Sequence, residues 1–233
     1  MAPSKFVYLD DGTEWERDAM EFRLTYDGPL LATQGEPHNQ QADPKKRAEN
    51  KHALRQRFHA QLRRFWEITP YLEVGQAKPK ASEEISLESL AGANFFSQNA
   101  EALATTHALY GHNFVPLVTE ELCLSCSIDI LLLRPDRPGG VVWAGDIDNR
   151  IKTLLDALRI PVPGERYVDR TLNESEKPFF CLLEDDKLIT RLAVETDQLL
   201  EFNGGNKNMN EVRLVITVRL RPQHATMRNM DFV

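Results

Sequence analysis

The stretch Asp146-Ile-Asp-Asn-Arg-Ile-Lys-Thr-Leu-Leu-Asp-Ala-Leu158 combines an apolar helical stripe with a row of charged side chains. Asp148, Lys152 and Asp156 lie four residues apart and form the polar row. Asp148 is also a suitable N-cap, because a carboxylate accepts hydrogen bonds from the free amides of a first turn. The stretch therefore predicts an amphipathic helix over residues 149–158. Its stripe has the i, i+3, i+4, i+7 spacing and consists of Ile151, Leu154, Leu155 and Leu158.

The acidic residues at the start of this stretch suit a hard metal ion. Asp146 and Asp148 are separated by one residue, so an extended backbone, or a turn from strand into helix, brings both carboxylates to one side. Mg²⁺ prefers a few carboxylate oxygens and fills its remaining positions with water and phosphate. Lys152, one turn later, can hold a scissile phosphate and stabilise its developing charge. The alternative is a helix cap beside a surface ion-pair row, which stabilises a helix little.

A second acidic cluster, Glu184-Asp185-Asp186, follows downstream. It can supply a further carboxylate to the same metal site. Acidic triplets also commonly mark turns, so the cluster alone does not decide between the two interpretations. The ordered occurrence of both clusters favours metal-assisted hydrolysis of phosphodiester bonds.

Taken together, these residues resemble the signature of the RusA family of Holliday-junction resolvases. The resemblance rests on Asp146-Ile147-Asp148-Asn149, Lys152, Asp156-Ala157-Leu158, and Asp185-Asp186 followed by Leu188-Ile189. It implies that Asp146, Asp148 and Asp186 bind Mg²⁺, for which Mn²⁺ substitutes, and that Lys152 assists catalysis. Asn149 and Asp185 would then support the ligands from outside the metal's immediate shell.

The same resemblance implies a substrate and an assembly. The expected substrate is branched DNA, either a four-way junction or a related structure met in recombination and repair. The expected assembly is a homodimer, because paired nicks across a two-fold symmetric junction need one site per subunit. Two alternatives stay open: a non-catalytic RusA-like module that binds nucleic acid or protein, and a nuclease that acts on flaps, forks or single strands.

Hydrophobic periodicity predicts an α/β (α+β) domain, with a small mixed β-sheet and helices packed on one face. Asp43-Pro44 is an N-cap followed by a proline at the first helical position, and it opens a long helix to about Ile68. The turn signal Asn203-Gly204-Gly205-Asn206 predicts that the strands on either side of it pair or lie next to each other. The predicted strands are Glu21–Tyr26, Glu121–Arg134, Lys187–Glu195 and Glu211–Leu220.

The length of 233 residues predicts one elaborated domain. Its core is expected at about residues 20–72 and 119–220, with a C-terminal tail at 221–233. Insertions relative to the compact RusA family are expected at about 73–118 and 159–183.

The charge of the chain does not decide whether it binds nucleic acid. The formal net charge is -7 and the sequence pI is ≈ 5.5, whereas binding to phosphates depends on local positive charge. Lys45, Lys46 and Arg47 at the start of the long helix, together with Arg150, are the candidate phosphate contacts. The alternative is that the basic residues of the long helix form an ordinary solvated face.

Composition also bears on location. No apolar run is long enough to cross a bilayer, and no signal peptide is recognisable at the start of the chain. The chain has three cysteines, an odd number that disfavours a disulfide framework and predicts a reducing cytoplasm. Cys123 and Cys126 form a C-x-x-C pattern; zinc is one interpretation, and burial as small apolar side chains is the other.

Overall fold

The fold is that of a computed structural model, which describes residues 6–8, 14–16, 20–32, 44–69, 72–74, 98–109, 111–135, 146–165, 173–200, 210–226, 228, 229 and 232. It is an α+β fold. Its helices are α1 (Pro44–Ile68), α2 (Ala100–Thr106) and α3 (Asp146–Leu158). Its strands are β1 (Phe6–Tyr8), β2 (Glu14–Glu16), β3 (Glu21–Pro29), β4 (Leu72–Glu73), β5 (Gln98–Asn99), β6 (Ala108–Leu109), β7 (His112–Val118), β8 (Leu124–Arg134), β9 (Phe179–Leu183), β10 (Ile189–Gln198) and β11 (Glu211–Pro222).

The main sheet has four strands in the order β10-β8-β11-β3. β8 runs parallel to β10 and antiparallel to β11, and β11 runs antiparallel to β3. The strict alternation along β11 puts every second residue in the core, as the sequence predicts. The predicted pairing of β10 with β11 across the Asn203–Asn206 turn is wrong, because β8 lies between these two strands.

The core lies between this sheet and two of the helices. Helix α1 packs on β3 and β9, and α3 packs against α1. The buried stripe predicted for α3 is confirmed at Ile151, Leu154 and Leu158. Helix α1 contributes Phe58 and Trp66, which are 1% and 0% exposed. Among the described helices, none has the length and apolarity needed to cross a membrane.

A second, three-stranded sheet has the order β6-β7-β9, with β7 and β9 parallel. All five residues of β9 are buried. Both β7 and β9 lie in the segments that the sequence assigns to insertions, yet they form part of the packed structure. The C-terminal tail also returns to it: Phe232 is buried, and Asn229 Nδ2 donates to the Leu122 carbonyl at 2.9 Å.

The positions of the site residues can be described relative to the two ends of the main sheet. At the first, which we call the Leu30 end, Glu211 pairs with Pro29, and Leu30 N donates to the Asn210 carbonyl at 2.8 Å. At the second, which we call the Cys126 end, Cys126 pairs with both Leu220 and Ile189. From Glu211 to Leu220 is nine steps along β11, so the ends are about 30 Å apart.

Candidate metal site at the start of helix α3

A buried arginine fixes the first turns of α3 at the Leu30 end. Arg150 is 1% exposed. Its Nη1 donates to the Leu30 carbonyl at 2.6 Å, and its Nη2 donates to Asn210 Oδ1 at 3.0 Å. The guanidinium therefore holds the start of the helix against both flanking strands. The prediction that Arg150 contacts phosphate is corrected here: its side chain is buried among protein acceptors and positions the helix instead.

The two charged residues next to this anchor face outward. Asp148 and Lys152 are both exposed, one helical turn apart on the same face. Among the described residues, neither side chain takes part in a salt bridge. The third member of the predicted row behaves differently: Asp156 Oδ1 lies 2.6 Å from Arg159 Nη2, and its Oδ2 lies 3.5 Å from Lys51 Nζ. The charged heads of Asp148 and Lys152 are thus available to a ligand.

The helix begins at Asp146, two residues earlier than the cap that the sequence predicts at Asp148. Asp148 therefore lies inside the first turn and points its carboxylate into solvent. The side chain of Asp146 lies outside the described residues. Asn149 is half-buried, and its carbonyl accepts a hydrogen bond from Thr153 Oγ1 at 3.1 Å.

The second acidic cluster lies at the Cys126 end. Ile160 N, just after α3 ends, donates to the Leu183 carbonyl at 3.0 Å. Asp185 and Asp186 follow Leu183 and lead into Ile189, which pairs with Cys126. Asp186 is exposed. Asp185 caps a short turn: the backbone N–H of Lys187 donates to its Oδ1 at 2.9 Å and lowers the pKa of Asp185 below its ordinary value.

The structure does not bring Asp186 and Asp148 together within one chain. Asp148 lies ten residues, about 15 Å of helix, before Leu158 at the end of α3. The second acidic cluster lies beside that end of the helix, where Ile160 N donates to the Leu183 carbonyl at 3.0 Å. Two ligands of one Mg²⁺ lie within about 4 Å of each other. Among the described residues, no three acidic, histidine or cysteine side chains are grouped as for a metal ion.

Basic residues of α1 lie at the same end as Asp148. Asn50 Nδ2 donates to the Pro29 carbonyl at 2.8 Å, so the first turns of α1 flank the Leu30 end. Lys45 and Lys46 are exposed there, and Arg47 is half-buried. The sequence left open whether the basic residues of α1 form only a solvated face. Those in its first turn lie at the same end of the sheet as Asp148, where Lys45 Nζ also lies 3.9 Å from Glu49 Oε1.

Further along α1, Lys51 and Arg55 are occupied by acidic partners. Glu165 contacts Lys51 Nζ, and its Oε1 lies 2.9 Å from Arg55 Nη2. Arg55 is buried, and its Nη2 also donates to the Asp156 carbonyl at 2.9 Å. No local sequence pattern pointed to this cluster, because Glu165 is more than a hundred residues from its partners. The cluster fastens α1 to the end of α3 and has no free charge to offer a ligand.

Comparisons with protein-family models, with curated proteins and with solved structures found no match to this chain. The resemblance to resolvases therefore rests on the motif residues themselves. The geometry adds an exposed carboxylate and an exposed ammonium on one face of α3, next to the basic first turn of α1.

Proposed function

We propose that this protein is a cytoplasmic, Mg²⁺-dependent endonuclease that hydrolyses phosphodiester bonds in branched DNA, with activity like that of the RusA resolvases. One observation carries the proposal: Asp148 and Lys152 are exposed and without salt-bridge partners among the described residues, at the end of the sheet where Lys45 and Lys46 lie. This reaction uses a carboxylate to bind a metal ion, an ammonium to bind the reacting phosphate and further lysines to bind neighbouring phosphates.

The donor chemistry in this region suits Mg²⁺, although Asp146 and Asp148 both lie in α3, so the extended or turn geometry expected between them is not found. Proteins usually hold this ion with one or two carboxylates, and water and substrate phosphate complete its shell. Asp146 and Asp148 would supply those carboxylates, and Asn149 would support them. When bound, Mg²⁺ contributes Lewis acidity at the scissile phosphate. Lys152 binds an oxygen of that phosphate and offsets the negative charge of the transition state. Arg150 keeps these side chains in place through its contacts with Leu30 and Asn210.

A homodimer gives Asp186 a place in this scheme. Within one chain, Asp186 lies at the Cys126 end, too far from Asp148 for a shared ion. A two-fold related copy runs in the opposite direction, so it can present its Cys126 end to the Leu30 end of the first copy. We propose that Asp186 reaches the site from the second subunit, with Asp185 fixing the turn that carries it.

Cleavage of defined DNA structures tests this function. We expect the wild-type protein with Mg²⁺ to nick a labelled four-way junction symmetrically and to leave linear duplex intact, and we expect EDTA to stop the reaction. Equal cutting of flaps, forks or single strands would support the proposed site, but it would show that the enzyme is not specific for four-way junctions. Tight junction binding without any nicks, in both Mg²⁺ and Mn²⁺, would favour the non-catalytic module and overturn the proposal.

A further inference from the structure

Strand β10 forms an edge of the main sheet with nothing described on its outer side. Among the described strands, it pairs only with β8. None of its ten residues is buried, whereas its neighbour β8 is mostly buried. Edge strands of this length expose a row of backbone donors and acceptors that another strand can pair with. Most proteins shorten, cover or bend such an edge. β10 is ten residues long, and its register with β8 shifts between Ile189 and Arg191 but is regular from Arg191 to Gln198.

The core-facing side of β10 carries two exposed apolar residues. Leu192 pairs with Ile128 and Val194 with Ile130, and paired residues share a face of a sheet. Ile128 and Ile130 are buried, so this face is the one that packs on the helices. Leu192 and Val194 are nevertheless 42% and 38% exposed. The apolar face of the sheet thus continues onto β10, beyond the part that the described helices cover.

The opposite face of β10 carries charges of both signs in a fixed order. Arg191 lies near the start of the strand, and Glu195 and Asp197 lie near its end. A parallel copy in register would place like charges opposite each other. An antiparallel copy places the basic start of one strand opposite the acidic end of the other, which favours pairing. The charge order is therefore self-complementary under a two-fold axis.

We propose that β10 pairs with β10 of a second copy of this chain, antiparallel and centred on Ala193. In this register Leu192 lies opposite the partner's Val194 on the helix-covered face. On the other face, Arg191 lies opposite the partner's Glu195. The two four-stranded sheets then join into one continuous sheet of eight strands, and the exposed apolar pair is covered in both copies.

Neighbouring registers match these features less well. Along a strand, successive side chains point to opposite faces of the sheet, and successive backbone groups point to opposite neighbours. The register can therefore shift only in steps that keep the same residues on the helix-covered face and the same backbone groups toward the partner. Centring the pair on Val194 places Leu192 opposite the partner's Thr196, and centring it on Leu192 places Val194 opposite the partner's Thr190. The register centred on Ala193 is the one that pairs the apolar residues with each other.

This surface goes beyond the nuclease proposal, which requires a dimer without specifying where the subunits meet. The two can fail separately, since the interface is measured by mass and by cross-linking, and the function by cleavage. A dimeric wild-type protein that nicks junctions, but whose Ala193→Cys variant forms no cross-link, would overturn the interface alone.

Cysteine cross-linking tests the register directly. Opposite residues of an antiparallel pair have Cα atoms about 4.5–5.5 Å apart, within the range that a disulfide spans. We expect Ala193→Cys to form a disulfide-linked dimer on mild oxidation. Glu195→Cys is the matched control: it should not link to itself, because four steps along the strand, about 13 Å, separate the two copies of this residue. All variants would carry Cys123→Ser, because Cys123 is the described cysteine that is not buried.

Sedimentation of the full chain completes the test. Glu195→Lys faces the partner's Arg191 with a like charge and should weaken the dimer by about tenfold or more. Mixing Glu195→Lys with Arg191→Glu should restore a heterodimer, because every facing pair is then opposite in charge. Thermal unfolding checks that each variant is folded, since Arg191 also contacts Asp129. Unlinked Ala193→Cys, or a dimer unaffected by Glu195→Lys, would overturn the proposal.

Discussion

Replacing Asp148 with asparagine is expected to lower the rate of Mg²⁺-dependent junction cleavage by about 1,000-fold. The substitution keeps the shape of the side chain and removes its charge, so the metal ion loses a carboxylate ligand. Electrostatic stabilisation by a metal ion is worth several kcal/mol in the transition state, and about 4 kcal/mol corresponds to this factor. Asp148 is exposed, so folding should be little affected. Single-turnover cleavage of a labelled junction measures the effect.

The matched control for Asp148→Asn is Glu101→Gln. Glu101 is also an exposed carboxylate in the first turn of a helix, namely α2. We expect this control to cleave at the wild-type rate. If both variants cleave like the wild type while remaining folded, Asp148 has no part in the chemistry.

Replacing Glu165 with glutamine is expected to destabilise the protein by about 3 kcal/mol, because breaking one partner of a buried ion pair leaves the other charge uncompensated. Lys51 and Arg55 would lose their shared carboxylate, and Arg55 is 3% exposed. For a domain of this size, we expect the melting temperature to fall by about 6–12 °C. Glu174→Gln is the control: Glu174 pairs with Lys177 in solvent and should have little effect.

The contribution of Glu165 should also depend on pH. Burial raises the pKa of Glu165, but the charges of Arg55 and Lys51 outweigh it and hold this pKa below its ordinary value. Because the pKa of Glu165 is lowered in the folded state, this stabilisation is fully present above the unfolded-state pKa of about 4.3. It is lost as the pH falls from that value through the lower pKa of the folded state. Urea unfolding at neutral and acidic pH should therefore show the wild type approaching Glu165→Gln in acid. A gap of constant size would contradict this cause.

Local periodicity predicted the two longer helices and the four strands of the main sheet, but not β7 and β9, which lie in the segments expected to be insertions. The helical stripe of α3 and the alternation of β11 each depend on residues close in sequence that face one core. Strand order was less predictable. A turn signal before β11 indicated pairing with β10, whereas β8 separates them, because order in a sheet is decided by contacts between distant segments.

The site could be predicted only in part for the same reason. The exposure of Asp148 and Lys152 on one face follows from helical spacing. The burial of Arg150 does not, since its acceptors Leu30 and Asn210 lie far away in sequence. The position of Asp186 depends on the path of β9, which carries the chain to the Cys126 end.

Complementation between two inactive variants tests most directly the claim that Asp148 of one subunit and Asp186 of the other form one metal-dependent site. Asp148→Asn and Asp186→Asn should each be inactive alone. In a mixed dimer, one site receives both substitutions and the other receives neither, so mixing should restore single-strand nicking to about one quarter of the wild-type level. No recovery, in a mixture shown by mass to contain mixed dimers, would contradict a site shared between subunits.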